Sequence, residues 1–260
     1  MNLREQLTNT VGKGHLSYSS IKYALGDMRL WEMYMRGQLK KESDALTFGT
    51  LYDMLLFEKD KALETYVVIN SDTILSNCSE KTINAKKPAM TSEYKSIKAD
   101  MVDQIKSEGK EVCSEEDWQQ ANDMIERLDA CGLLDTYLNG KYQVEFNEDI
   151  DGVPVKGFLD CLGDGFITDS KSARSVNKFK YDVNSWSYDI QAYIYTKVFG
   201  IEDYYWVVQE KTYPYYPALV KCTDETMLRG EMKFHEAVTN IKDWLANGHK
   251  TETHYAVFEV

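Results

Sequence analysis

The chain has 260 residues, of which 43% are hydrophobic and 12% aromatic, enough for one large α/β domain with a sizeable core. No segment approaches the about 18 consecutive apolar residues of a membrane span, and residues 1–13 lack the apolar centre of a signal peptide. We therefore expect a cytoplasmic protein with no membrane partner. The formal net charge of −12 disfavours a protein that coats nucleic acid, because phosphate contacts normally need a basic surface.

The cysteines and histidines do not suggest a zinc or iron–sulfur site. The five cysteines are odd in number and never spaced as Cys-x-x-Cys, so they are interpreted as reduced thiols. The histidines are scattered and are interpreted as incidental: His15, His235, His249 and His254.

The N-terminal part, residues 1–140, is predicted to be mainly helical. Apolar residues at helical spacing predict a helix from Ser20 to about Met35, with Ser19 or Ser20 as its cap. A second helix is predicted from Leu46 to Phe57. The stretch from Asn70 to Thr91 is rich in Ser, Asn and Lys and has no period, which is typical of an exposed, mobile connection.

A capping-box pattern, Ser114 followed by Asp117, then predicts a helix that ends near Gly132. After Gly140 the period changes to two. The segment around Tyr142 to Phe146 and the segment from Val153 to Cys161 are predicted strands, joined at the turn Asp151-Gly152.

The third predicted strand is Phe166 to Lys171. A helix is predicted from Trp186 to Phe199, two strands from Tyr204 to Gln209 and from Ala218 to Cys222, and a closing helix from about Glu225 to Leu245. We expect one domain over residues 1–260. Its catalytic sheet and Gln191 helix would occupy residues 141–222, and its C-terminal helix residues 223–247.

Acidic and basic side chains are concentrated on the predicted strands. Glu145 lies on the first, Asp160 ends the second, and Asp169 and Lys171 lie two apart on the third, so that they share a face. A short turn can bring Asp160 beside them. Two carboxylates and a lysine suit metal-dependent phosphodiester hydrolysis, which needs hard oxygen ligands, an activated water and a positive group. A solvated strand end of mixed charge remains the alternative.

The run from Gly157 through Asp160 to Asp169-Ser170-Lys171 resembles the Asp, Asp/Glu-x-Lys core of the PD-(D/E)XK nucleases. The segment Tyr188–Tyr195 resembles the Gln-x-x-x-Tyr helix of the RecB-like and RecE-like branch, with Gln191 and Tyr195 on one helix face. This resemblance implies a restriction-endonuclease-like core, with a central mixed β-sheet flanked by helices. Without it, Gln191 would be an interior hydrogen-bonding residue of a buried aromatic helix.

The N-terminal half resembles the phage and prophage RecE-type exonucleases, also called exonuclease VIII-like. The segments that carry this resemblance are Leu16–Ile21 and Phe48–Glu58. Where that family usually has a metal-ligating histidine, this chain has Asp53, which is also an oxygen ligand for Mg²⁺; a surface acid is the equal alternative. Glu145 matches the family's acidic residue on the first strand.

The resemblance implies residue roles. Metal would be bound by Asp160, Asp169, the Ser170 carbonyl, Glu145 and Asp53, with Mg²⁺ as the cofactor and Mn²⁺ as a substitute. Lys171 would orient the nucleophile, and Gln191 would reach the catalytic centre. Tyr195 would contact DNA or support the site. Independently of the resemblance, phosphate contact is a hypothesis for Arg174, Lys178, Ser17, Ser19 and Ser20.

The resemblance also implies an activity: 5′-to-3′ digestion of linear double-stranded DNA in phage-type recombination, encoded by a bacterial host or a phage. The implied partners are duplex DNA ends, a single-strand annealing protein and further copies of the chain in a ring. Four alternatives remain: a structure-specific or restriction-type endonuclease, a repair nuclease serving a helicase, a non-catalytic DNA-binding descendant, and a protein that does not bind nucleic acid, which the net charge favours.

Basic and aromatic residues near the predicted site have two readings. Between Lys171 and Lys180 the chain has four basic residues and no acid, so this stretch is either a phosphate-binding segment or a solvated loop. The tryptophans mostly lie in apolar stripes, where a core role is favoured over base stacking.

Overall fold

The computed structural model of the chain describes residues 1–39 and 44–248. Two compact units are present: one comprises Met1–Glu42 with Gly132–Val260, and the other comprises Ser43–Cys131. The expectation of one domain over residues 1–260 therefore stays a prediction. His249 and His254 lie outside the described residues. None of the helices in the described ranges is both long and apolar enough to cross a membrane.

Helices and strands are numbered here in chain order. The helices are α1 (Leu3–Val11), α2 (Tyr18–Gly26), α3 (Met28–Met35), α4 (Asp44–Phe57), α5 (Lys59–Thr65), α6 (Ser71–Leu75), α7 (Glu80–Ile83), α8 (Ser92–Ser107), α9 (Glu115–Ala130), α10 (Leu133–Tyr137), α11 (Phe179–Ser185), α12 (Tyr188–Phe199) and α13 (Asp224–Ala246). The strands are β1 (Tyr66–Ile69), β2 (Glu111–Ser114), β3 (Lys141–Ile150), β4 (Val153–Leu162), β5 (Phe166–Ala173), β6 (Asp203–Glu210) and β7 (Pro217–Lys221).

The first unit is built on a five-stranded mixed sheet in the order β3-β4-β5-β6-β7. Strands β5 and β6 are parallel, and the other neighbours are antiparallel. A parallel pair needs a crossover, which α11 and α12 provide. The fold class is the expected one: α/β, with a central mixed sheet flanked by helices.

The β3–β4 hairpin turns at the predicted position. Asp151 and Gly152 have φ angles of 51° and 81°, and Ile150 pairs with Val153 across the two-residue loop. Two consecutive positive φ values define a type I′ turn, whose twist matches that of the flanking strands. The Asp149 carboxylate accepts the Gly152 N–H at 2.6 Å, which stabilises the turn.

Helix α12 lies on the sheet and connects it to the other helices. It packs against β3 and β6, and also against α2, α11 and α13. Seven consecutive residues of α12, Asp189–Tyr195, are buried, so this helix is surrounded on all sides rather than amphipathic. The main hydrophobic core of this unit lies around it and includes Trp31, Tyr193, Trp206 and Phe234.

The second unit contains a two-stranded parallel sheet of β1 and β2 together with helices α4–α9. Helix α9 packs against α4, and α8 packs against α6 and β2. A small core forms from Ile69, Ile74 and Tyr94.

Three sequence-based predictions of local structure were wrong. The helix predicted from Ser20 to Met35 is two helices, because Asp27 leaves the helical conformation and caps α3 by accepting the Arg29 N–H at 2.8 Å. Its N-terminal cap is Ser17, not Ser19 or Ser20. The connection predicted over Asn70–Thr91 contains α6, α7 and a 3-10 turn, each with capping or turn hydrogen bonds.

Candidate active site

The predicted site has Asp169 at its centre. Alternation along β5 directs this side chain to the sheet face covered by α12, where it is 0% exposed. Its Oδ1 accepts a hydrogen bond from Gln191 Nε2 at 2.7 Å, and its Oδ2 forms an ion pair with Lys171 Nζ. The two-residue spacing of Asp169 and Lys171 therefore places both on one face, as the sequence predicted.

Asp160 lies opposite Asp169 at the point where two strands separate. Strands β4 and β5 pair only at Cys161–Thr168 and Leu162–Ile167, and Asp160 and Asp169 are the next positions in the same register. Beyond this point, Asp160 Oδ2 accepts the backbone N–H of Ser170 at 3.0 Å. The Asp160 carboxylate thus accepts the N–H that a backbone carbonyl of β4 would accept if the strands stayed paired. This hydrogen bond holds the carboxylate beside Asp169.

The electrostatics of the site follow from this crowding. Burial raises the pKa of the Asp169 carboxyl above its ordinary value; the Lys171 ammonium opposes this shift, and the Asp160 carboxylate adds to it. Burial lowers the pKa of Lys171, but the Asp169 and Asp160 carboxylates outweigh burial, so that the pKa lies above its usual value. Lys171 is therefore a cation, fixed against the acids.

Gln191 and Tyr195 form a hydrogen-bonded support on α12. Gln191 Nε2 also lies within hydrogen-bonding distance of Tyr195 Oη (3.2 Å), and Tyr195 donates its own O–H to the carbonyl of Phe158 at 2.8 Å. Tyr195 is 5% exposed and its ring packs edge-on against Phe146. In this arrangement Tyr195 connects α12 to β4 and supports the site; its predicted contact with DNA stays a prediction.

The donor set fits a hard divalent cation. Carboxylate oxygens of Asp160 and Asp169 and the carbonyl of Ser170 are the oxygen ligands that Mg²⁺ prefers. Two adjacent carboxylates, one without solvent contact, repel each other unless a cation lies between or beside them. Within residues 1–39 and 44–248, no group of three or more His, Cys, Asp or Glu side chains is positioned to hold a metal. Mg²⁺ is commonly bound by one or two carboxylates and keeps several of its waters, which the carboxylate pair allows.

Glu145 and Asp53 are the other two side chains predicted to bind metal. Glu145 is on β3, and its carboxylate forms an ion pair with Lys156 at 2.7 Å while remaining 54% exposed. Asp53 is a half-buried residue of α4, in the second unit. Their roles as ligands stay predictions.

The predicted DNA-contact residues differ in exposure. Arg174 and Lys178 are exposed on the connection that follows β5. Ser17 and Ser20 bond to each other in a reciprocal capping box at the start of α2, with Ser20 buried, while Ser19 is half-buried. Phosphate contact by these residues stays a prediction.

The structure adds site residues that sequence patterns did not reveal. Gln143 has a φ of 48°, unusual for a non-glycine residue, and its Nε2 lies 3.5 Å from Asp160 Oδ1. Tyr188 lies beneath Lys171, with Nζ 5.1 Å from the ring centroid. Tyr188 was visible only as part of the helix motif, and no local signal marks Gln143.

The mixed sheet, with paired acids where two strands separate and a lysine two residues further on, is the architecture of the PD-(D/E)XK nuclease superfamily. A family model described as "PDDEXK-like domain of unknown function (DUF3799)" matches residues 28–253. The chain belongs to this family, and the assignment to the superfamily is confirmed.

A solved structure shows the same fold. A crystal structure from Eubacterium rectale, named "Putative exonuclease", has 18% sequence identity to this chain and a TM-score of 0.62, covering 96% of this chain and 86% of the other. No curated protein sequence matches. At this identity the structural likeness establishes the fold alone.

Proposed function

We propose that the chain is a divalent-cation-dependent nuclease that hydrolyses phosphodiester bonds of DNA. The observation that supports this most strongly is the arrangement of Asp169: a fully buried carboxylate beside Asp160, paired with Lys171 and oriented by Gln191. Burial and the neighbouring Asp160 carboxylate raise the pKa of the Asp169 carboxyl, and a carboxylate perturbed in this way at the point where two strands separate is typical of a catalytic site.

Each residue has a defined task in this proposal. Asp160, Asp169 and the Ser170 carbonyl would hold Mg²⁺, or Mn²⁺ as a substitute, which when bound supplies a Lewis acid and an activated water. Gln191 holds Asp169 in a single orientation. Lys171 places a fixed positive charge where a water can be oriented and where negative charge develops on the phosphate.

The more specific proposal is a RecE-type exonuclease. It would digest linear duplex DNA from the 5′ end during recombination, act as a ring-shaped homo-oligomer around the duplex, and supply single strands to an annealing protein. The resemblance of Leu16–Ile21 and of the Gln191–Tyr195 motif to that family supports this proposal.

The test uses 5′-labelled linear duplex and closed circular DNA, incubated with Mg²⁺ or EDTA. Mg²⁺-dependent loss of linear DNA alone is expected, and Lys171→Ala should reduce the rate by at least about 100-fold. Lys221→Ala is the matched control, because this lysine also lies on a strand of the same sheet and pairs with an aspartate, Asp203, but is 59% exposed.

Each other outcome has a clear meaning. Cutting of closed circles would show an endonuclease on the same core. No Mg²⁺-dependent change in either DNA, or equal loss in Lys171→Ala and Lys221→Ala, would refute the proposed nuclease site.

A further inference from the structure

Trp186, directly after α11, differs from the tryptophans of the hydrophobic core. Its side chain is 52% exposed, whereas Trp31, Trp206 and Trp244 are at most 6% exposed. Lys22 Nζ lies 5.0 Å from the centroid of its ring. An indole in solvent with a cation over its face contributes little to folding, because such a pair is weak where water reaches it.

This exposed ring is continuous with the candidate active site. Tyr18 donates its O–H to the Trp186 carbonyl at 2.5 Å, and the Tyr18 ring lies 6.5 Å from the Tyr188 ring. The Tyr188 ring in turn lies beneath the ammonium of Lys171. The contacts therefore run from Lys171 through the Tyr188 and Tyr18 rings to Trp186 at the surface.

At the surface end of these contacts, Lys22 Nζ also lies 5.8 Å from the centroid of the Tyr18 ring. We refer to Trp186, Tyr18 and Lys22 as the Trp186 platform. All three belong to the unit that contains Asp169.

The chemistry of this platform matches a nucleotide with an unpaired base. An aromatic ring stacks on the flat face of any base, and a neighbouring cation attracts the phosphate that follows it. Inside a duplex, both faces of a base are already covered by stacking, so a base can reach such a ring only at a DNA end or after release from its neighbours.

We propose that the Trp186 platform binds an unpaired nucleobase at the end of the DNA substrate, so that the strand to be cut enters the site separated from its complement. The inference rests on the proposed nuclease function and defines its substrate as a single-stranded or frayed DNA end. Trp186 would be a specificity-determining residue that positions substrate, with no role in the bond-breaking step.

Binding without hydrolysis tests the proposal directly. A single-stranded oligonucleotide is titrated in EDTA, and tryptophan fluorescence is followed. In the wild type, stacking should quench the exposed indole. Trp186→Leu should abolish most of the quenching and weaken binding by about tenfold, the usual effect of losing one stacked base, while Trp186→Phe should retain most of the affinity.

Folding of these variants should be preserved. The hydrogen bond from Tyr18 uses the backbone carbonyl of residue 186, so substitution leaves it in place. Tyr181→Leu is the matched control: Tyr181 is 63% exposed and lies under Lys180, as Trp186 lies under Lys22. Equal weakening in Trp186→Leu and Tyr181→Leu, or none in Trp186→Leu, would overturn the proposal.

An abasic scan locates the stacked base. Oligonucleotides with one abasic nucleotide at successive positions from the end should show one position where wild-type affinity falls. In Trp186→Leu, an abasic nucleotide at that position should not lower the affinity. If the wild type and the variant respond identically at every position, no base stacks on Trp186.

Hydrolysis separates this inference from the nuclease proposal. Trp186→Leu should retain Mg²⁺-dependent cutting at saturating DNA, but lose its preference in kcat/KM for frayed over blunt ends. A wild type without any Mg²⁺-dependent cutting would refute the nuclease function. A cutting enzyme whose preference is unchanged by Trp186→Leu would refute only the platform.

Discussion

At the scale of single residues, the state of Asp169 is set by the side chains around it, because water does not reach the carboxylate. One oxygen faces Gln191 and the other faces Lys171. Gln191 therefore donates a hydrogen bond to a candidate metal ligand. Such hydrogen-bond donors fix the orientation of the ligand and set its basicity.

Gln191→Ala should weaken the binding of Mg²⁺ to the nuclease. Without the amide, Asp169 loses a 2.7 Å hydrogen bond and is free to rotate towards Lys171. We expect the Mg²⁺ concentration for half-maximal activity to rise by about 10- to 100-fold, as measured by titrating the cleavage rate with Mg²⁺.

Gln209→Ala is the control for this prediction. Gln209 is also buried, but its amide donates to the carbonyl of Tyr215 in the β6–β7 connection at 3.1 Å. It should lower the melting temperature without changing the Mg²⁺ requirement. The same Mg²⁺ shift in both variants would mean that Gln191 acts only through folding stability.

The sequence predicted the inner part of this site because its geometry is local. Asp169 and Lys171 share a face by strand alternation, and Gln191 and Tyr195 share a face by helical periodicity. Contacts between distant segments were not predictable. The Lys22–Trp186 contact depends on how helices that are far apart in the chain meet, which no short motif specifies.

At the scale of secondary-structure elements, a buried charge cluster connects α12 to α13. Asp189, at its first turn, is 0% exposed and accepts hydrogen bonds from Arg229 Nε at 2.6 Å and Lys233 Nζ at 2.9 Å, both on α13. The two helices approach so closely that a Cβ on Gly230 would lie 2.1 Å from the carbonyl oxygen of Asp189. This cluster fixes the helix that carries Gln191.

Asp189→Ala should strongly destabilise the fold. The substitution leaves Arg229 and Lys233 partly buried without their carboxylate, and removing one partner of a buried ion pair costs about 3–5 kcal/mol. Urea denaturation followed by circular dichroism should show a loss of this size in the free energy of unfolding.

The control for Asp189→Ala is an exposed ion pair between β6 and β7. Asp203 pairs with Lys221, and the two side chains are 50% and 59% exposed. Asp203→Ala should cost less than about 1 kcal/mol, because water screens the pair. A loss for Asp189→Ala as small as that for Asp203→Ala would contradict a structural role for the cluster.

Elements with a strong period were predicted correctly, and the shortest elements were not. The hairpin β3–β4 follows alternation, and the helices α9 and α13 follow helical spacing. The short helices α6 and α7 have four or five residues, too few to show a period, and they depend on capping by Asn70 and on tertiary packing.

At the scale of the whole molecule, a net charge of −12 must be reconciled with DNA binding. Phosphate affinity depends on local charge, because screening limits the reach of surface charges to about 10 Å at 0.1 M salt. Lys171, Arg174 and Lys178 follow one another along the segment that leaves the site, and Lys22 lies beside Trp186. We therefore expect DNA to bind a small basic surface on an otherwise acidic protein.

This distribution predicts a modest salt dependence of single-strand binding. About four phosphate contacts give a slope of about −3 in a plot of log affinity against log salt concentration. The double variant Arg174→Gln with Lys178→Gln should make the slope shallower by about 1.4, because each lost contact removes about 0.7. The measurement is fluorescence anisotropy of labelled DNA in EDTA over a series of NaCl concentrations.

Lys95→Gln with Lys98→Gln is the matched control, since these two exposed lysines of α8 belong to the second unit and their loss changes the net charge by the same amount. If the control pair changes the slope as much as Arg174 and Lys178 do, the affinity reflects total charge, and the basic segment after β5 does not bind phosphate.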